Sequence, residues 1–550
     1  MENKNTVIAV VLMAAVWIIF TLLNPPQAPV PAPEQSRDST KEEVPVLDNS
    51  ATKTADVAET KIEVAKQHVL PKNNAMVEDI TVENNLFLAK FSTSGARLTF
   101  LTLKNFWETT EVGSKPINIV ENRRPTAGSI RLEGYDGLKI YSDAVYSVVK
   151  QPKGIISASQ NSDLVFSYLT PGGILVEKTY RFQGDSYAID MDVKVRNLAD
   201  GVERGSLEVS LVQPWDENQE GSYYEHVGPS TLVDKGIESD SVKDITKETK
   251  VYSNPAWSVF EQKYFMAGIA PHSGAADKVK IVKQDEFVLN SFVTPEVQLS
   301  PNEGKTFQYT LYFGPRDLSI LETIGHRFDE AIDFGWFTVI AVPLREVLNF
   351  FYGFVKNYGV AIILLTIIIK MLFWPLTHKS YASMKEMQKI QPEIQKLREK
   401  YKNNKEKMNQ EVMALYKEKR VNPFGGCLPM VIQIPVFFAL YKVLMIDFAL
   451  RQAPFMLWIK DLSVADTLFT DLLGLPFTLG PLPLVMGFTM FLQQKMTPST
   501  MDPQQAKIFM MMPVVFTFMF LNFPAGLVLY WLVNNLLTIL QQYFIHRKFK

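Results

Sequence analysis

Residues 363–378, ILLTIIIKMLFWPLTH, hold one side chain that is charged at neutral pH within a long apolar run. That side chain is Lys370, and a lysine at the centre of a membrane-spanning helix costs about 2.5–3.5 kcal/mol on insertion scales. Thr366 precedes it by one helical turn and shares its helix face. Two interpretations follow: Lys370 extends its stem toward the cytoplasmic headgroups, or it lies in a polar cavity inside the protein.

Apolar runs of this kind predict six transmembrane helices. The first belongs to residues 1–23, and Asn24-Pro25-Pro26 follows it instead of the small-residue site of a cleaved signal peptide, which favours an uncleaved signal anchor. The other five are 351–375, 427–446, 473–493, 508–523 and 525–543. The turn at 523–526, FPAG, makes a hairpin of the last two.

The distribution of charge orients these helices. Loop 376–423 carries twelve Lys or Arg against six Glu, whereas loop 448–472 has only Arg451 and Lys460. Because cytoplasmic loops are enriched in Lys and Arg, both termini are predicted to be cytoplasmic, and residues 24–350 to lie on the other side. A net charge of −2 over 550 residues gives no nucleic-acid character. The single cysteine, Cys427, excludes an intrachain disulfide, and the scattered histidines predict no metal site.

The polar two-thirds of the chain divides into a linker and a β domain. Residues 24–75 are rich in Pro and charged residues and are predicted to be disordered. Residues 76–320 show strand signals, such as the alternation of apolar and charged residues over 189–196 and a turn at 171–173 between two apolar runs. They predict a large antiparallel β-sandwich of two sheets. Its aromatic residues Trp215, Tyr223, Tyr224 and Trp257 either pack the core and rim or line a sugar-binding groove.

Two further segments have helical periodicity. Residues 321–349 predict an amphipathic helix that lies on the membrane or packs against the β domain. Loop 376–423 predicts two antiparallel helices, a cytoplasmic hairpin with methionines along its faces. Those methionines either bind varied hydrophobic partners or hold the hairpin together.

Polar residues recur within the predicted spans, and intramembrane polar groups usually face the protein interior or water. Besides Lys370 and Thr366 they are Gln433, Thr517, Asn534, Asn535 and Thr538. No acidic residue is placed in the spans to neutralise Lys370, and Asp447 lies at a span end on the opposite side. The sequence therefore favours a polar cavity that receives an acidic group.

Four segments resemble the YidC/Oxa/Alb family of membrane protein insertases, in its Gram-negative YidC branch. They are 366–384, TIIIKMLFWPLTHKSYASM; 415–444, LYKEKRVNPFGGCLPMVIQIPVFFALYKVL; 450–463, LRQAPFMLWIKDLS; and 523–542, FPAGLVLYWLVNNLLTILQQ. The resemblance covers residues 350–550, and it implies an inner membrane protein with a five-helix insertase core and a periplasmic β-sandwich.

The resemblance also implies roles for residues. Lys370 takes the position of the family's groove arginine, and Thr366, Gln433, Asn534 and Asn535 line the same hydrophilic groove. The apolar slide that guides a substrate into lipid would include Ile434, Phe437, Tyr530 and Trp531, for which ordinary lipid-facing packing is the alternative. Lysine keeps the charge but lacks the planar, bidentate fork of arginine.

The function implied is insertion and chaperoning of nascent transmembrane proteins, alone or with the Sec translocon, without catalysis, cofactor or nucleotide. A ribosome or targeting receptor would bind the hairpin, since only five residues follow Ile545. One alternative is a secondary transporter or channel, although the spans show no internal repeat and Lys370 is the lone mid-membrane charge. The other is a sugar-active periplasmic enzyme on an anchor, for which residues 76–320 alone would retain function.

Overall fold

The computed structural model describes residues 76–121, 128–158, 160–215, 226–419, 421, 428–497 and 503–548. The predicted anchor 1–23, the linker 24–75, Tyr223, Tyr224 and Cys427 lie outside the described residues. The described residues within 76–500 and 510–550 belong to one compact unit.

Twenty described strands form the β domain, and every pairing between them is antiparallel. In chain order, β1 to β20 are Asp79–Glu83, Phe87–Ser92, Arg97–Trp107, Pro116–Val120, Arg131–Gly134, Ser147–Lys150, Asn161–Leu169, Ile174–Gln183, Ala188–Asn197, Glu203–Gly205, Leu207–Pro214, Gly228–Val233, Gly236–Ser239, Lys250–Ser253, Trp257–Glu261, Phe265–Pro271, Lys278–Gln284, Phe287–Val293, Val297–Leu299 and Gly304–Pro315.

These strands build four sheets, so the prediction of two sheets was wrong in number. The largest has the order β13-β12-β15-β16-β20-β9-β8-β7-β6, and a five-stranded sheet has the order β14-β17-β18-β11-β5. Strands β1 to β4 pair only among themselves, and β10 pairs with β19. Strands β1 to β4 thus form a small sheet of their own, and Phe91 of this sheet packs against Tyr180 of the large one, with ring centroids 4.7 Å apart. Alternation identifies a strand but does not tell which sheet it joins.

The period-two pattern and the hairpin were confirmed. Ile189, Met191 and Val193 of β9 are fully buried, and β7 pairs with β8 in register around Gly173, whose φ is 86°. Alternate residues of β8 also face inward, and Lys178 is one of them, so its side chain lies inside the domain and is fully buried. Its Nζ donates to the carbonyl oxygens of Gly95 (3.3 Å), Ala96 (2.9 Å) and Ile130 (2.8 Å). Burial, together with the positive charge of Arg97, lowers the pKa of Lys178 well below its usual value.

Ten described helices complete the fold. In chain order, α1 to α10 are Val242–Lys247, Leu318–Ile324, Thr338–Val355, Tyr358–Lys400, Lys405–Glu418, Leu428–Ile446, Leu468–Leu473, Pro481–Met496, Pro503–Phe520 and Ala525–Lys548. Within the described residues, α3 (with the turn before it) and α4 are long and apolar enough to cross a membrane. Helices α6 and α9 contain shorter apolar stretches, Val431–Ile446 and Met510–Phe520.

The expected single helix over 321–349 was wrong. Gly325, His326 and Arg327 have φ values of 78°, 54° and 61°, and a right-handed helix cannot continue through three residues of positive φ. The first part of the segment packs on the β domain, where Phe328 is fully buried and stacks on Trp257 at 6.4 Å. The second part is α3 with its preceding turn, which exposes 76% of Trp336. Packing on the β domain therefore describes the first half of the segment, and a membrane-surface position stays a prediction for the second.

Helix α4 is continuous from the second apolar run into the predicted hairpin segment. It has 43 residues and holds Pro375 and Pro392 within it. Helix α5 begins after Asn404, whose side chain accepts from the Lys407 backbone N–H, and turns back along α4. The seam between the two helices buries Met387, Ile390, Ile394 and Leu415.

Candidate functional site

Lys370 lies on α4 where that helix packs against α10. Its Nζ is 2.9 Å from the hydroxyl oxygen of Thr538, to which it donates, and the side chain is half-buried. Among the described residues, no carboxylate pairs with it. The ammonium group thus lies in a largely apolar bundle, which is costly unless water or another polar group completes its shell.

A chain of hydrogen bonds extends from Lys370 across three helices. The Thr538 hydroxyl donates to the backbone oxygen of Asn534 (2.7 Å), and the Asn534 side-chain oxygen accepts from Gln433 Nε2 (3.0 Å). Helices α4, α10 and α6 each supply a member. The structure therefore brings together Lys370, Gln433, Asn534 and Thr538, four of the seven predicted groove residues.

The other three predicted lining residues lie apart from this chain. Thr366 is buried and donates to the Ile362 oxygen at 2.6 Å, and Thr517 donates to the Pro513 oxygen at 2.7 Å, so each hydroxyl bonds its own helix. Asn535 faces α8, with its Nδ2 3.4 Å from the Thr489 hydroxyl. Successive helix residues point about 100° apart, which separates Asn535 from Asn534.

Three of the four predicted slide residues, Phe437, Tyr530 and Trp531, form an aromatic cluster beside the polar chain. Phe437 meets Trp531 edge-on at 4.8 Å, and both are partly buried. Ile434 is 44% exposed, whereas Tyr530 is almost fully buried. The outer rim of the site therefore consists of Ile434, Phe437 and Trp531, and Tyr530 lies inside the bundle.

The apolar rim continues on α4. Met371 and Leu372 follow Lys370 directly and are 66% and 72% exposed. A segment drawn to the ammonium group would meet exposed apolar side chains within one helical turn. Among the described residues, no group of three His, Cys, Asp or Glu side chains is placed to hold a metal ion.

An ion pair that sequence reasoning missed lies at the other end of α6. Arg345 of α3 donates through Nε to Asp447 Oδ2 at 3.1 Å, and the two side chains are only 9% and 2% exposed. Asp447 also accepts from the Ala449 backbone N–H at 3.1 Å. An arginine among the apolar residues of α3 was the available signal. This pair explains why Asp447 does not serve as a counter-ion for Lys370.

The loop after α6 touches the β domain. Phe448 meets Phe106 and Phe265 edge-on, with centroids 5.3 and 5.6 Å apart. Gln452 Nε2 donates to the Trp107 oxygen at 2.9 Å, and Arg451 donates to the same atom. The Arg345–Asp447 pair and this contact together join α3, α6 and the β domain at one corner.

A second missed feature is a layer of buried amides near the end of α10. Gln541 and Gln542 are almost completely buried. Gln542 Nε2 donates to the Tyr381 hydroxyl (2.6 Å) on α4 and to the Thr497 hydroxyl (2.9 Å) after α8. The consecutive glutamines in a predicted span were the available signal. This layer extends the polar interior from Lys370 toward the hairpin.

Two family models match the chain. The model described as 60Kd inner membrane protein matches residues 350–550, and the model described as YidC periplasmic domain matches residues 79–347. The chain is 44% identical over 552 residues to the "Membrane protein insertase YidC" of Pelobacter propionicus, with 99% of both chains covered. It is 41% identical to the protein of the same name from Geobacter metallireducens, over 99% of this chain and 98% of the relative.

A solved structure is also similar, the "Active YidC insertase crystal structure with the first transmembrane domain resolved". It is 17% identical, and the match covers 87% of this chain and 95% of that chain, with a TM-score of 0.35.

Proposed function

Because this chain belongs to the YidC family of membrane protein insertases, we propose that it inserts nascent integral membrane proteins into the inner membrane and assists their folding. The observation that carries the proposal is the half-buried Lys370 ammonium, which meets a hydroxyl and no carboxylate among the described residues. A cation in this setting is stabilised most by an acidic or strongly polar group of a bound substrate. The work is binding and release, without bond chemistry.

The ammonium group reduces the free-energy cost of bringing the polar part of a substrate into the helical bundle. A carboxylate about 4 Å from Nζ gains about 4 kcal/mol at an effective dielectric of about 20, which offsets part of its loss of hydration. Gln433, Asn534 and Thr538 supply further donors and acceptors along the same path. The exposed apolar side chains of Met371, Leu372 and Ile434 then offer the substrate's transmembrane segment a route into lipid.

The topology that suits this function has six membrane spans. The predicted anchor at 1–23 and helices α4, α6, α8, α9 and α10 would cross, with both termini cytoplasmic and the β domain periplasmic. Helix α3 and the turn before it would lie at the periplasmic surface, where the exposed Trp336 of the turn and Val339 of the helix meet lipid. The domain limits given from the sequence, other than the single helix over 321–349, remain part of this proposal.

The partners would be nascent transmembrane chains, the Sec translocon and, through the hairpin, a ribosome or targeting receptor. Support for the hairpin contact comes from its composition, with basic side chains outside the buried methionine and isoleucine seam. No cofactor or nucleotide is part of the proposal.

Complementation of insertase-depleted cells with Lys370 variants tests the proposal. We expect Lys370→Arg to sustain growth and insertion, since it keeps the charge. Lys370→Ala should impair substrates with acidic or polar translocated segments, and Lys370→Glu should impair them further. Lys442→Ala is a matched control, because it removes the same charge from a half-buried lysine on α6 near the Asp447 end. Full activity of Lys370→Glu on every substrate would rule out attraction by charge.

A further inference from the structure

The loop between α6 and α8 exposes large apolar side chains on an ordered backbone. Leu472 and Leu473 end the short helix α7 and are 74% and 64% exposed, and Phe477 is 54% exposed. They point away from the bundle, yet they belong to a segment that joins two proposed transmembrane helices. Exposed apolar side chains grouped in this way usually mark a contact surface.

The length of α8 indicates the depth at which this loop lies. Helix α8 has 16 residues, and Lys495 in its last turn marks its cytoplasmic end. At about 1.5 Å per residue the helix is about 24 Å long, whereas the hydrocarbon core is about 30 Å thick. The helix therefore begins about 6 Å short of the outer boundary of the hydrocarbon, and the residues before Pro481 have to fill that depth.

Several backbone groups of the loop are hydrogen-bonded within the protein, as an environment without water requires. The N–H groups of Phe469 and Thr470 both donate to the Leu479 oxygen at 3.0 Å, and the Leu475 N–H donates to the Thr470 oxygen at 3.2 Å. The Leu479 N–H donates to the Thr470 hydroxyl oxygen at 2.6 Å. Non-helical backbone at membrane depth is tolerated only when its polar groups are satisfied within the protein.

One buried carboxylate anchors the loop from inside. Asp466 is 5% exposed and accepts from the Trp458 indole (3.1 and 3.2 Å) and from the Leu482 N–H (2.8 Å) at the start of α8. Gly480 packs so closely that a Cβ there would lie 2.1 Å from Asp466 Cγ. The charge is thus directed into the protein, and the apolar side chains face outward. Asp471, the one exposed acid of α7, is bonded by the Thr467 hydroxyl at 2.8 Å.

We propose that residues 467–480 form a re-entrant wedge in the outer leaflet, with Leu472, Leu473 and Phe477 in contact with lipid acyl chains. The occupant is lipid because the apolar surface is continuous along the chain with the exposed Leu484 and Val485 of α8. Asp471 sets the limit of immersion at the headgroups. The inference goes beyond insertion itself but rests on the six-span topology proposed above.

Fluorescence quenching in proteoliposomes tests the wedge. In a full-length Cys427→Ser background, which removes the single native cysteine, Leu473→Cys is labelled with a nitrobenzoxadiazole dye. Leu484→Cys on α8 reports the proposed span. Val149→Cys on β6 is the water-exposed control, since β6 lies five strands from β16, the strand that carries the Phe265 contact to Phe448. At about 4.8 Å per strand, that separation is about 24 Å.

For the label at 473 we expect strong quenching by lipids with a nitroxide near the headgroup, weaker quenching by a nitroxide near the chain end, and several-fold less iodide quenching than at 149. Iodide quenching equal to that at 149 would overturn the wedge and indicate a locally thinned bilayer. A label at 473 protected from both quenchers would also overturn it, since protein would then cover the surface. Loss of lipid quenching at 484 as well would instead refute the topology.

Discussion

The buried pair between Arg345 and Asp447 should be among the most sensitive points of the helical core. Its two side chains are almost without contact with water, and each is the other's main partner. Glu346 is an alternative partner, with its Oε1 3.3 Å from Arg345 Nη1, but its side chain is 64% exposed. An ion pair that faces water in this way contributes little. Removing either Arg345 or Asp447 therefore leaves a buried charge.

The size of the effect follows from these contacts. Arg345→Met leaves the Asp447 carboxylate unpaired and should lower the free energy of unfolding by about 3–5 kcal/mol. Asp447→Asn keeps an oxygen for the Ala449 N–H but strands the guanidinium, at a similar cost. Asp447→Ala also loses the hydrogen bond from the Ala449 N–H, which adds about 1 kcal/mol. The double variant Arg345→Met/Asp447→Asn contains no buried charge at this corner and should cost less than the sum, by about 2–3 kcal/mol.

Equilibrium unfolding by SDS in mixed micelles, followed by tryptophan fluorescence, measures these differences. The wild type, Arg345→Met, Asp447→Asn and their double variant form one double-mutant cycle, and Asp447→Ala is measured beside it. Glu346→Gln is the matched control, because it removes the exposed neighbour of the same arginine and should change the free energy of unfolding by less than about 0.5 kcal/mol. A coupling energy between Arg345 and Asp447 within about 0.5 kcal/mol of zero would mean that water screens the pair, and the reasoning from burial would fail.

Three further outcomes are expected. Thr538→Val removes the hydroxyl that Lys370 bonds and should lower the free energy of unfolding by about 1–3 kcal/mol in the same assay. Thr538→Ser keeps the hydroxyl and should retain most of that stability. Equal stability of the valine and serine variants would contradict the contact. Phe448→Ala should weaken the contact between the β domain and the helical core, measured as faster proteolytic release of the domain. Phe544→Ala, an exposed residue on α10, is the control. Unchanged release in Phe448→Ala would show that the ring contacts do not hold the β domain to the core. Burial and the nearby His272 lower the pKa of His326, so the folded domain disfavours the charged form of this side chain. Thermal stability should therefore fall as the pH drops below about 6.5. His326→Asn should flatten that dependence, and an unchanged profile would exclude His326 as its source.

The β domain could be predicted as far as its local pattern reaches. Alternation over 189–195 and the turn before Ile174 gave the correct strands because a half-buried strand has a period of two. The division into four sheets depends on contacts such as Phe91 with Tyr180, which are remote in sequence. Lys178 was missed although its parity with Val176 and Tyr180, both fully buried, already placed it inside.

The candidate site was predictable in composition but not in pairing. Polar residues inside apolar helices are few, so Lys370, Gln433, Asn534 and Thr538 could be named from the sequence. The hydroxyl that faces Lys370 is determined by how α10 is rotated about its axis relative to α4. This rotation cannot be read from the sequence. Thr366 shares a helix face with Lys370, yet its hydroxyl bonds its own backbone, an option that short polar side chains have anywhere in a helix.

The continuity of α4 places Lys370 and the helical hairpin on one shaft. The helix has 43 residues, and Lys370 lies in its first third. At about 1.5 Å per residue the shaft measures about 64 Å. Pro375 removes one backbone hydrogen bond just beyond the lysine, and the Thr377 hydroxyl bonds the Phe373 oxygen at 2.9 Å, a pattern that bends helices. A partner that tilts the hairpin would thus bend α4 next to Lys370, so that binding at the hairpin would act on this charge first.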